Sequence, residues 1–227
     1  MLTKDLLSYA ETNWGSFKAT VSVISENDHT HIPLVTGDEL LFHFDKITEM
    51  LYAQGKAPTS ADGLEVTAQG VEFIEFKSGF KRKITKNNFD EKQGWCEDGK
   101  KVCSWYWDLF FKEQEKEIAE LISSIRFKAI ESYITLEKHI FPKCQQSGVH
   151  IPLKFVVVID EDEVDNIEDT LAGLAGEEDI KDNHFSAIRS ALRRLTGQRD
   201  VDGSEYYYDS IEVLSARDFS NHLRLLT

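Results

Sequence analysis

Three side chains within a span of sixteen residues have types and spacing suited to phosphoryl chemistry: Asp62, Glu75 and Lys77. Two carboxylates can share a hard divalent cation such as Mg²⁺ (or Mn²⁺) through oxygen ligands, leaving coordination positions for water and a phosphate. An ammonium beside them can orient or help deprotonate a metal-bound water, or neutralise charge developing on a phosphoryl group. Such chemistry requires the three groups to converge on one side of the elements that carry them.

Residues 62–79 provide a means of convergence. Leu64, Val66 and Ala68 alternate with polar positions, and on the following arm Val71, Phe73, Glu75 and Lys77 alternate with Glu72, Ile74, Phe76 and Ser78, which predicts two strands joined by a tight turn. With Gln69-Gly70 as a two-residue turn, the glycine supplies the positive φ that such turns demand. Ala68 then pairs with Val71, Val66 with Phe73, Leu64 with Glu75, and Asp62 with Lys77. All eight side chains share one face, because strand side chains alternate with period two. Directly opposed neighbours stand about 5 Å apart and diagonal ones about 7 Å, so two carboxylates and an ammonium gather at the end of an apolar sheet face. The other face of the second arm carries Ile74 and Phe76, which predicts a strand covered by helices on both sides. The plainer reading of Glu-x-Lys, a solvated ion pair at a strand end, leaves Asp62 in register and both apolar faces unexplained.

An acid on one strand followed by acid-x-Lys on the next resembles the PD-(D/E)xK nuclease superfamily. The resemblance covers residues 38–160, with Asp62 as the first acid, Glu75 as the second and Lys77 as the lysine. Ala61 stands where the family's pattern has proline. The resemblance implies an α/β fold: a restriction-endonuclease-like mixed β-sheet flanked by helices, an αβββαβ-type core with additions at both ends. It implies magnesium or manganese held by Asp62 and Glu75, and a metal-dependent nuclease that hydrolyses phosphodiester bonds in DNA. It also implies a further acid from a helix before the first acid strand, for which Asp45 and Glu49 are the candidates. The alternative is a catalytically silent scaffold of the same fold that serves as a protein-interaction module.

The 227 residues, 41% hydrophobic and 11% aromatic, suit one large domain over 1–227. Its nuclease-like core spans about 38–160, an acidic connection 160–182, and a C-terminal helix-strand-helix extension 183–227. No apolar run approaches membrane-spanning length, and the N-terminus lacks a long apolar leader. Three cysteines, Cys96, Cys103 and Cys144, are odd in number and form no Cys-x-x-Cys pair, which suits reduced thiols and a cytoplasmic protein. The net charge of −14 opposes phosphate binding, but its distribution is uneven. Eleven acids and one lysine lie between Asp160 and Asp182, leaving only −4 for the remainder. That segment predicts a solvated connection and offers a surface to a protein partner.

The remaining elements follow from periodicity. A helix is expected over 2–13, a strand over 17–24, and a loop holding His29 and His31 over 27–36. Residues 38–54 read as a helix, or as a strand followed by a helix beginning near Asp45. Lys81, Arg82, Lys83 and Lys86 make a basic patch beyond Lys77, suited to phosphate contacts. The aromatic-rich stretch 87–111 reads as an irregular segment packed on the body. Residues 112–140 carry the clearest helical stripe, flanked by Arg126 and Lys128. Leu153–Ile159 is a buried parallel strand reached by that helix as a crossover. A helix over 184–195, a strand at Ser210–Ser215 and a terminal helix capped by Asp218 complete the chain.

Overall fold

Alternating apolar runs form a six-stranded sheet, and helices with one apolar face cover both of its sides. A computed structural model describes residues 2–67, 69–81, 104–144, 151–160, 184–196 and 207–226. The strands are β1 (Lys18–Thr20), β2 (Leu40–His43), β3 (Gly63–Val66), β4 (Val71–Lys77), β5 (Leu153–Ile159) and β6 (Ser210–Ser215). They lie in sequence order across the sheet. The first four pair antiparallel, whereas β4, β5 and β6 run parallel. The helices are α1 (Leu2–Trp14), the single turn α2 (Val21–Ile24), α3 (Phe44–Leu51), α4 (Ser104–Thr135), α5 (His184–Leu192) and α6 (Ala216–Leu226). The chain thus has an α/β fold with a mixed sheet flanked by helices. Among the described residues no helix is long and apolar enough to cross a membrane.

Two cores result. One joins Leu6, Ala10 and Trp14 of α1, Ile125 and Ala129 of α4, and Phe185 and Ile188 of α5 to Leu64, Phe73, Phe155 and Val157 on the sheet. The other packs α2 and α6, through Ile24, Phe219 and Leu223, on Ile74, Phe76, Val156 and Val158. Each large apolar side chain so buried contributes about 1.5–3 kcal/mol of transfer free energy. The expectation that β4 is covered on both faces is met. Helix α4 runs for 32 residues, about 48 Å, without a glycine or proline. It begins eight residues before the predicted start and continues through a π-helical turn at Leu136–Ile140.

Two local expectations are corrected, and a third is decided between its two readings. The strand expected over 17–24 ends at Thr20, because Val21 N–H donates to Glu39 O at 2.8 Å and Ser22 Oγ exchanges hydrogen bonds with Gly37. These partners turn the chain into α2. Residues 38–54 take the second of the two readings, a strand and then a helix. The terminal helix is capped by Ser215, whose Oγ accepts Asp218 N–H at 3.0 Å, with Asp218 in the reciprocal third position.

The β3–β4 turn also differs from expectation. Val66 pairs with Val71 and Leu64 with Phe73, a register two residues away from the predicted one. The connection is therefore the wider 67–70, closed by Thr67 N–H donating to Gly70 O at 2.9 Å. A shift of two preserves every side chain's face, where a shift of one would reverse it. Gly70 is not among the described glycines of positive φ. Its lack of a side chain serves close approach instead: a Cβ there would lie 2.4 Å from the Pro152 carbonyl oxygen, a backbone atom that accepts Val71 N–H. Gly70→Ala should therefore cost about 1–3 kcal/mol by forcing β4 and β5 apart at this end, read as a lower urea midpoint. An unchanged midpoint would show that the backbone yields freely there.

Candidate active site

The sheet delivers Asp62 and Glu75 to one place. Gly63 is the first residue of β3 and pairs with Ile74, so Asp62 arrives beside Glu75 just as the antiparallel ladder ends. Its side chain takes over from the missing strand, with Oδ2 accepting Phe76 N–H at 2.7 Å. Its carbonyl accepts Phe44 N–H at the start of α3. Glu75 pairs with Val157 in the interior of the sheet and is 0% exposed. Beyond Lys77 the chain is held by Asp160, whose carboxylate accepts the N–H groups of Gly79, Phe80 and Lys81 at 2.8–3.2 Å. Gly79 makes that wrap possible, at φ +109°, a conformation that favours glycine.

The cation between the two acids is not Lys77. Lys128 Nζ lies 2.8 Å from Asp62 Oδ1 and 2.9 Å from Glu75 Oε2. Lys77 Nζ instead donates to Ser124 Oγ at 3.2 Å. The two-residue register difference accounts for this in part, since Asp62 no longer faces Lys77 across the strands. Helix α4 supplies the rest. Ser124, Lys128, Glu131 and Ser132 recur on one helical face. Ser124 holds Lys77, Lys128 holds both acids, Glu131 accepts Thr59 N–H, and Ser132 Oγ accepts Ala61 N–H. This polar stripe borders the apolar one at Ile125 and Ala129, and its period was present in the sequence. Which way it faced depended on the pairing of distant elements.

Charge and burial set the character of the pair. Burial pushes the Glu75 carboxyl well above the usual carboxylate range, the Asp62 charge adds to this, and Lys128 and Lys77 pull against it. Burial works against the Lys128 ammonium, but Glu75 and Asp62 outweigh it and hold its pKa above the ordinary lysine range. Glu75 Oε1 is buried with no hydrogen-bond partner among the described residues. An oxygen of this kind is costly to keep dry and unpaired, and a small cation would satisfy it. Asp45, in the first turn of α3, accepts the Ser60 hydroxyl. Burial raises its carboxyl to about 6, with the Asp62 charge adding to the effect. His43 Nδ1 is likewise buried without a hydrogen-bond partner among the described residues, and burial lowers its pKa.

These groups line an open cleft of about 610 Å³. Its lining includes five carboxylates (Glu26, Asp28, Asp45, Asp62 and Glu75) against the ammonium groups of Lys77 and Lys128. The 25–36 loop forms one wall, tied to the end of β4 by Asn27 Nδ2 donating to Ser78 Oγ at 2.7 Å. His29 and His31 lie in that wall, and His31 Nδ1 contacts Glu26 at 2.8 Å. Glu49 is exposed and absent from the cleft lining. Among the described residues no group of three or more His, Cys, Asp or Glu is placed to hold a metal ion, so Asp62 and Glu75 stand as a pair. Arg82, Lys83 and Lys86 of the basic patch, Cys96, Cys103 and residues 161–183 of the acidic stretch lie outside the described residues.

The shift at Asp45 sets the sign of a pH effect. Its folded pKa of about 6 exceeds the unfolded value of about 3.9, so folding favours the neutral acid. That contribution is complete below pH 4 and is lost as pH rises through 6. Asparagine cannot ionise, so Asp45→Asn should match the wild type near pH 4 and exceed its stability by about 3 kcal/mol at pH 8. Urea unfolding at the two pH values measures the difference. A gap that does not widen with pH would mean that Asp45 is already ionised and solvated.

Comparison of the chain with protein-family models, with curated proteins and with solved structures finds no match in any of the three.

Proposed function

We propose that this protein is a metal-dependent nuclease of PD-(D/E)xK type, on a restriction-endonuclease-like fold, acting on phosphodiester bonds in DNA. The observation that carries the reading is Glu75 Oε1, buried and without a hydrogen-bond partner among the described residues, beside Asp62 in an open, negatively lined cleft. A phosphodiester would be repelled by that lining, and a divalent cation would be attracted. Asp62 and Glu75 are the residues that would hold Mg²⁺ or Mn²⁺, which when bound offsets the phosphate charge and activates water. Asp62 is fixed by Phe76 N–H and Glu75 by the centre of the sheet, so both carboxylates are oriented before any ligand arrives. Lys77, at the end of β4 and within reach of Ser124, positions the attacking water or a non-bridging phosphate oxygen. Hydrolysis forms a bond from the water oxygen to phosphorus and breaks the bond to the leaving sugar oxygen, which takes up a proton.

The second reading, a catalytically silent scaffold that binds a protein partner, also has an observation behind it. Lys128 already satisfies one oxygen of each acid, so the pair is partly neutralised without a metal. Cleavage assays on single- and double-stranded DNA and RNA with Mg²⁺ or Mn²⁺ separate the two. Lys77→Ala should retain cation binding and lose about 100-fold or more in cleavage rate, whereas Glu75→Ala should lose both. A wild type that cuts no substrate form leaves the scaffold reading in possession.

A further inference from the structure

We propose that Lys128 is the resident counter-ion of the Asp62–Glu75 pair, and that a divalent cation enters this site by displacing its ammonium. The inference rests on the proposed metal-binding role of the two acids, and concerns what regulates access to them.

The geometry is that of substitution. A cation shared by Asp62 and Glu75 needs one oxygen from each, and Lys128 Nζ occupies that position at 2.8 and 2.9 Å. The other Asp62 oxygen is committed to Phe76 N–H, and of the four carboxylate oxygens only Glu75 Oε1 remains without a hydrogen-bond partner among the described residues. A bridging ion can take Glu75 Oε1 but must contest Asp62 Oδ1, which the ammonium already holds. The surroundings leave little solvent to screen two neighbouring cations. Side-chain exposure is 0% for Glu75, 16% for Asp62 and 21% for Lys128. A divalent ion and an ammonium on the same pair of carboxylates would repel strongly in such a site.

Displacement is mechanically available because lysine carries its charge on a flexible four-carbon stem, and this stem borders the open cleft. The backbone of α4 need not move, since Ser124, Glu131 and Ser132 keep their own contacts with Lys77, Thr59 and Ala61. Lys77 is already withdrawn to Ser124, so the two lysines divide the work. Lys128 guards the acid pair, and Lys77 is left for substrate. An ion pair of purely structural purpose would lower stability when broken without improving cation binding. A displaced counter-ion predicts the opposite sign for binding.

Calorimetric titration of Mn²⁺ into the full chain tests this, with melting temperatures recorded on the same samples. Lys128→Met should bind Mn²⁺ at least 10-fold more tightly than wild type. It should melt lower without the ion and be raised further by it. Lys128→Arg, which keeps the charge, should stay within about threefold of wild type. Binding by wild type with equal or weaker binding by Lys128→Met overturns the inference and leaves the metal reading standing. Binding by Lys128→Met alone supports displacement and removes the nuclease reading from the wild-type chain. Binding by neither overturns both. If Lys128→Met does not fold, the wild type still decides through the side-chain ammonium resonance of Lys128 in ¹⁵N-lysine-labelled protein. That signal, assigned by its loss in Lys128→Arg, should shift or exchange away as Mg²⁺ is added. A signal unchanged at millimolar Mg²⁺ overturns the inference.

Discussion

A carboxyl group buried in the middle of a sheet must either keep its proton or find a positive charge, and Glu75 has Lys128 beside it. An isolated ionised carboxylate loses several kcal/mol of solvation on burial, and leaving it unpaired is worse than never burying it. This requirement reaches well beyond the pair. It sets the rotation of α4, because only one face of the helix can present Lys128 to the sheet. Once that face is set, Ser124, Glu131 and Ser132 fall into place along the same side. The segment before β3 is thereby fastened to α4 at three successive points, Thr59, Ala61 and Asp62. Packing of Ile125 and Ala129 against the sheet holds the helix down, and the contacts of Ser124, Glu131 and Ser132 hold the same face toward the site.

The site lies where the sheet changes character. Strand β4 has an antiparallel neighbour on one side and a parallel one on the other. Its antiparallel partner stops at Gly63, while its parallel partner continues to Ile159. Phe76 N–H, left without a strand on that side, is met by the Asp62 carboxylate. The early end of β3 thus opens the cleft and orients the acid that lines it. Asp160 performs the same service beyond Lys77, gathering three backbone N–H groups that no strand could reach.

Period-two alternation made much of this legible. It placed Asp62, Glu75 and Lys77 on one face, because face depends only on parity, and the two-residue register difference left parity intact. A nearly continuous apolar run, not alternation, located β5 at its observed bounds, and β6 was also expected where it lies. Alternation did not locate the partner of the acids. Opposed positions on a hairpin suggested Lys77, but the true neighbour arrives from 53 residues later in the chain. Lys128 flanks an apolar stripe, and nothing local says whether such a flank meets solvent or the sheet. Gly70 was misread for a related reason. A glycine in a turn suggests positive φ, whereas here it is the Pro152 carbonyl of another strand that excludes a side chain. Local chemistry fixes periodicity and caps, and contacts between distant segments are where that reading ends.

The arrangement also bears on how an acidic protein could act on a polyanion. The five carboxylates and two ammonium groups of the cleft make it a poor first contact for phosphate. With a divalent ion at Asp62 and Glu75, the pair would be neutralised by the ion and the Lys128 ammonium would be freed toward the cleft. The repulsion of phosphate would fall, and the positive charge nearest the site would be available to it, without any change in the backbone. Order of binding would then be set by electrostatics: cation first, nucleic acid second. A site that admits its anionic substrate only after metal entry has no need of a basic surface around it. The net charge of −14 is compatible with phosphodiester chemistry on those terms.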